Sequence, residues 1–178
     1  MTSDIAEATF RLGMSRLAGA VSIVATGSIA NPASWRGMTA TAVCSLCAEP
    51  PSLVVCLNRV TGTFHQLRQD GLFSVNVLAS RHVRLAHTFA GYDGLAGADR
   101  FTAEDWIEGT LAVPVLADAL ASFECCVSQS IDYGTHSLLI GGIVTARWTE
   151  DQAEPLVYHR HRFRELGHAI EMTEGPAA

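Results

Sequence analysis

Between Gly19 and Leu78 the chain repeats one pattern. Short apolar, β-branched stretches, Ala20–Thr26, Met38–Ser45, Ser52–Asn58 and Leu72–Leu78, are set apart by segments containing Asn, Pro or Gly. Such stretches suit a pleated, half-buried surface and read as strands of one sheet system. The Asn31–Pro32 and Pro50–Pro51 pairs punctuate it, because proline lacks an amide donor and restricts the residue before it. Ser122–Ile131 and His136–Arg147 are two further strand candidates, joined by Asp132–Thr135 over a distance short enough for a hairpin. A last strand is expected over Pro155–Arg160.

Helical spacing is rarer. Phe10, Met14 and Leu17 predict an amphipathic helix over 5–18, with Asp4 and Glu7 placed to cap and charge-complement its first turn. Thr63–Asp70 and Ser80–Ala90 are the inserted helices, and Gly91–Asp105 reads as a polar loop. Several antiparallel-looking strand groups with few crossover helices predict a mainly β fold, a β-barrel with peripheral helices, over a doubly wound parallel sheet. At 178 residues this is one domain, expected over 1–170, with a frayed tail over 171–178. The longest apolar runs fall well short of the about 18 residues a membrane helix needs, so no membrane span is expected.

All twelve cations are arginine, and there is no lysine. That removes the lysine-dependent P-loop, Schiff-base chemistry and an imine-anchored pyridoxal phosphate. A formal charge of −6 argues against nucleic acid as a partner, since neutralising its backbone takes clustered cations. Residues 1–7 have no basic or apolar signal region, and the five cysteines are odd in number. Free thiols in a cytoplasmic protein are therefore expected.

Few clusters suggest chemistry by pattern. Cys44 and Cys47, three apart in a strand, should point to opposite faces, so buried inert thiols are favoured over a metal or dithiol site. His159 and His161, at period two, would share a strand face, but two ligands make no structural zinc site, and no metal is expected. No Gly-x-Ser-x-Gly elbow occurs, and Gly141–Gly142 lacks the Rossmann spacing. Asn58-Arg59-Val60-Thr61-Gly62-Thr63 carries more information, because it leaves a strand and opens a helix. It reads either as a Thr-capped turn or as a phosphate cradle of hydroxyls, a guanidinium and helix-start amides. His136, after Gly134 in a tight turn, is either an ordinary turn histidine or catalytic.

Taken in order, several segments resemble the short-chain flavin reductases. They are Gly37-Met-Thr-Ala-Thr-Ala-Val-Cys-Ser45, Pro50-Pro-Ser-Leu-Val-Val-Cys-Leu-Asn-Arg59, Phe73-Ser-Val-Asn-Val-Leu78, Arg100-Phe101, Pro114-Val-Leu116, Gly134-Thr-His-Ser137 and Pro155-Leu-Val-Tyr158, and the likeness covers about residues 8–166. It implies an FMN-binding split barrel of antiparallel Greek-key type. It also implies an NAD(P)H:flavin oxidoreductase that passes reduced FMN or FAD to the oxygenase of a two-component monooxygenase, with NADH or NADPH as hydride donor and a homodimer as assembly. By the same resemblance Thr39, Ala40, Thr41 and Ala42 run beside the flavin ring, and Ser45 with Asn58, Arg59, Thr61 and Thr63 contacts the ribityl chain and phosphate. His136 orients the nicotinamide, while Tyr158 and Arg162 close over the flavin. Asn76 is either near the site or structural. Thr135 stands where many relatives have aspartate. Two other readings remain open: a flavoprotein with tightly bound flavin that reduces a corrinoid, an iron chelate or a disulfide, and a non-catalytic flavin or haem module using His159 and His161.

Overall fold

The computed structural model describes residues 5–102, 105–150 and 152–167. The expected tail, Asp4, and the end of the expected domain lie outside them. Helix α1 spans Glu7–Met14, α2 Gly62–Asp70 and α3 Val83–Phe89. The strands are β1 Gly19–Ala20, β2 Ser22–Thr26, β3 Arg36–Ala40, β4 Val43–Ala48, β5 Pro51–Asn58 and β6 Leu72–Val77, then β7 Trp106–Glu108, β8 Pro114–Leu116, β9 Ala121–Tyr133, β10 His136–Trp148, β11 Val157–His159 and β12 Arg162–Arg164.

Seven strands make the main sheet, in the order β3-β2-β6-β9-β10-β5-β4, every pair antiparallel. The mainly β class and the antiparallel arrangement are as the sequence implies. The two end strands, β3 and β4, are joined by the two-residue bend Thr41–Ala42, which curls the sheet, and the β4–β5 ladder runs on into that bend through the Cys56 amide, which donates to the Ala42 carbonyl at 3.1 Å. Inside the curl lie Val24, Leu53, Val55, Leu57, Phe73, Val75, Cys125 and Leu139, closed over by Phe64 and Leu67 of α2. Each fully buried side chain of this size contributes about 1.5–3 kcal/mol of transfer free energy. A second core lies on the opposite face of β2. There Ile23 and Ala25 meet Leu85, Ala86 and Phe89 of α3, together with Phe101 and Leu116. Strand β2 is buried on both faces, which explains its unbroken apolar run.

Close approach explains one half of the glycine pair. A Cβ on Gly141 would stand 2.5 Å from Phe73 Cζ and 3.0 Å from Cys125 Cβ, whereas one on Gly142 would meet only the Cys126 carbonyl oxygen at 3.9 Å.

Four expectations need correction. Met38–Ser45 is two strands, because the chain bends at Thr41–Ala42 to cross from one end of the sheet to the other. Cys44 and Cys47 share a face: an irregularity between Ser45 and Cys47 sets them opposite Val54 and Ser52, two residues apart on β5, and both cysteines are exposed. Of the five thiols only Cys125 is buried, and burial, joined by the charges of Cys126 and Glu124, pushes its pKa up to about 12. His159 and His161 share no strand face, because Arg160 and His161 both adopt positive φ in the two-residue turn between β11 and β12. The short pair β7 and β8 and the strand β12 carry too few residues for a period to show.

Candidate functional site

The turn after β5 is built by Thr61. Its hydroxyl accepts from the Phe64 amide at 3.2 Å and donates to the Asn58 carbonyl at 2.8 Å, capping α2. With the Phe64 amide taken, those of Gly62 and Thr63 have no carbonyl one turn back to bond, and they open the positive end of the helix dipole. They face a cleft of about 490 Å³ whose walls include Arg36, Gly37, Thr39, Thr63, Gly97 and Arg100. Arg36 is anchored through Nη1 to the carbonyls of Ala33 (2.8 Å) and Trp35 (2.7 Å). Arg100 is anchored through Nε to Leu95 (2.8 Å) and through Nη1 to Gly37 (3.2 Å) and Phe89 (3.3 Å). Among the described residues no carboxylate lines this cleft. Two fixed guanidiniums, helix-start amides and a threonine form a donor set that fits a phosphate.

Thr61 and Thr63 thus meet in one place, with two arginines that sequence reasoning did not assign to a site. Arg100 lay in a recognised segment, but only the fold brings it and Arg36, on separate strands and loops, to the start of α2. Thr39 lines the same cleft, with its hydroxyl committed to the Ala86 carbonyl at 2.7 Å, so it holds α3 in place. Ala40 is buried in the inner core.

Thr41 and Ala42 are exposed at the bend and line a second hollow of about 580 Å³ with Phe10, Met14 and Leu17 of the α1 region and Tyr158. Apolar side chains and small residues suit a flat ring there. Burial and the neighbouring Tyr92 hydroxyl push the Tyr158 phenol above its ordinary pKa. Ser45 is not brought to either place, for it lines a separate apolar cavity of about 230 Å³ with Cys44, Ser52 and Leu53. Arg162 is exposed on β12. Asn76 is fully buried and its amide is saturated: Nδ2 donates to Ile23 O and Ser74 Oγ, and Oδ1 accepts from the Leu116 amide and Ser122 Oγ. That is a structural asparagine.

His136 opens β10 directly after the tight turn Gly134–Thr135, where Gly134 takes φ 55°. It is paired with Asn58 of β5 on one side and Tyr133 of β9 on the other, so all three side chains stand on the outer face of the sheet. Thr135 Oγ1 lies 2.8 Å from His136 Nδ1 and supplies the contact that fixes the ring, leaving Nε2 toward solvent. Asn58 Oδ1 is used by the Val60 amide. Arg59 does not join Thr61 and Thr63. It turns to the hairpin tip, 3.4 Å from Asp132 and 3.4 Å from the Gly134 carbonyl. Among the described residues no group of three or more His, Cys, Asp or Glu is placed to hold a metal.

Comparison with known proteins agrees with this fold. The flavin reductase like domain matches residues 14–167. The chain is 38% identical over 170 residues to "FMN reductase (NADH) RutF 1" of Methylorubrum extorquens, covering 96% of this chain and 82% of that protein. A flavin reductase crystal structure from Haemophilus somnus 129PT superposes with a TM-score of 0.84 at 31% identity, over 91% of this chain and all (100%) of that one. BorF, the flavin reductase component of a bacterial two-component tryptophan halogenase, superposes with a TM-score of 0.82 at 30% identity, over 92% and 100%.

Proposed function

Because this chain belongs to the flavin reductase-like family, we propose that its clefts serve an NAD(P)H:flavin oxidoreductase that supplies reduced flavin to a separate oxygenase. The observation that carries the assignment of residues is the cleft at the start of α2, where Arg36, Arg100, Thr63 and two helix-start amides converge with no carboxylate among the described residues. Flavin, when bound, takes up a hydride at N5 from the C4 of reduced nicotinamide.

The protein's part is to hold and orient. The α2 cleft takes the flavin phosphate, and the bend at Thr41–Ala42 offers main-chain groups and small side chains beside the hollow that Tyr158 and α1 wall off. His136, steadied by Thr135, stands outside the sheet with Nε2 available to orient the nicotinamide. No strong acid or base is required, since the reacting rings need near-attack placement more than proton transfer.

A homodimer suits the surface. The outer face of β4, β5, β10 and β9 carries Cys44, Val54, Cys56, Leu138, Ile140 and Ile131 without a charge, and α1 buries none of its own residues. Light scattering or sedimentation checks that assembly. Among the described residues no helix is long and apolar enough to cross a membrane.

The test is oxidation of NADH and of NADPH under air with FMN, FAD or no flavin, in the absence of any oxygenase. Turnover proportional to added flavin is expected. Turnover indifferent to added flavin would point to a tightly held prosthetic group, and a sample inert toward both nucleotides with either flavin would end the reading.

A further inference from the structure

Beside the hairpin tip lies a further depression, separated from the phosphate cleft by the first turn of α2. Its volume is about 470 Å³, and it is lined by Arg59, Val60, Phe64, His65, Arg68, Gly134 and Thr135. In a chain of net charge −6 this spot gathers two of the twelve arginines and a histidine within ten residues, with no Asp or Glu among the described lining residues.

The cations here are only lightly engaged. Arg59 touches Asp132 and the Gly134 carbonyl at 3.4 Å, the outer limit of a hydrogen bond, with its side chain 41% exposed. Arg68 stands 5.8 Å above the Phe64 ring, a contact that orients a guanidinium without consuming its donors. The nearby Asp70 is occupied by Gln66, whose amide donates to both carboxylate oxygens. The depression reaches the residue next to His136, for Thr135 lines it and its carbonyl accepts from the Arg59 amide at 2.9 Å.

We propose that the groove of Arg59, His65 and Arg68 receives a phosphate of the pyridine dinucleotide whose nicotinamide ring lies at His136. The inference rests on the oxidoreductase reading above and extends it to a second anion subsite on the opposite side of α2 from the flavin phosphate. It gives Arg59 a role at the hairpin tip, where the fold puts it. The phosphate is either the pyrophosphate common to NADH and NADPH or the 2′-phosphate that only NADPH carries.

The test uses Arg68→Ser and Arg68→Lys, substitutions of an exposed side chain that rests on the Phe64 ring, with the urea midpoint of each variant measured as a fold control. Steady-state kinetics with NADH and NADPH are paired with calorimetric binding of NAD⁺ and NADP⁺ to the flavin-free protein and with FMN titration. For Arg68→Ser, KM and Kd are expected to rise about tenfold, with kcat and FMN affinity unchanged, and Arg68→Lys should recover part of the loss. An equal rise for both nucleotides places the pyrophosphate in the groove, and a rise for the NADP(H) pair alone places the 2′-phosphate there. Unchanged nucleotide affinity, or a loss of FMN affinity instead, overturns the proposal. A wild-type protein that oxidises neither nucleotide sinks the parent reading. An active wild type with indifferent Arg68 variants sinks only the groove.

Discussion

Replacing Arg36 by glutamine separates a phosphate-binding cleft from a structural one. The guanidinium gives its Nη1 to two carbonyls at 2.7 and 2.8 Å, which fixes it beside Gly62 and Gly97 and leaves Nε and Nη2 as donors toward the cleft. A hydrogen bond between charged partners contributes about 1.5–3 kcal/mol. The cleft is open on one side, so the lower part of that range applies, about 1.5–2 kcal/mol, or roughly a 12- to 30-fold rise in Kd for FMN. Riboflavin has the same ring and ribityl chain without the phosphate, and its Kd should move less than about twofold. Titration of flavin fluorescence at fixed ionic strength measures both. Added salt should weaken FMN binding to the wild type more than to the variant, because one screened charge is gone. Equal losses for FMN and riboflavin would mean that Arg36 acts by holding the Ala33–Trp35 loop. No loss for either would mean that the phosphate sits elsewhere.

Three further outcomes are expected. His136→Ala should slow hydride transfer about tenfold or more, roughly 1.4 kcal/mol of transition-state stabilisation, with the fold intact, and an unchanged rate in single-turnover mixing would remove His136 from the mechanism. Gly141→Ala should destabilise by about 1–3 kcal/mol, since its Cβ would collide with Phe73, while Gly142→Ala should stay within about 0.5 kcal/mol of wild type. Urea midpoints of the two variants compare them directly, and equal values would refute the packing argument. The third concerns Asp118: partial burial opposes its ionisation, but hydrogen bonds and charge from His82 and Arg81 outweigh that and hold its pKa below the ordinary value. Its contribution to stability is therefore complete above the unfolded pKa of about 4 and lost as pH falls through the lower folded value. The stability gap between wild type and Asp118→Asn should shrink from pH 5 to pH 3, and a gap independent of pH would contradict the assignment.

The amino-acid sequence by itself determined the strands and the cap. Short apolar, β-branched stretches marked β2, β5, β6, β9 and β10 because each needs only its own residues to show, and the threonines after β5 announced the start of α2 because capping is local chemistry. It also located His136 in a tight turn and ruled out every lysine-based site. Tertiary structure alone decided what stands beside what. Arg36 and Arg100 meet across 64 residues of chain because β3 and the segment after α3 pack on one side of the sheet, a long-range juxtaposition that leaves no periodic trace. The same holds for Arg59, whose place was set by a hydrogen bond to a hairpin 76 residues away, and for Cys44 and Cys47, which one irregular residue turned onto a common face. Local spacing fixes which way a side chain points only while the strand stays regular; bends, bulges and distant packing are settled by the whole chain at once.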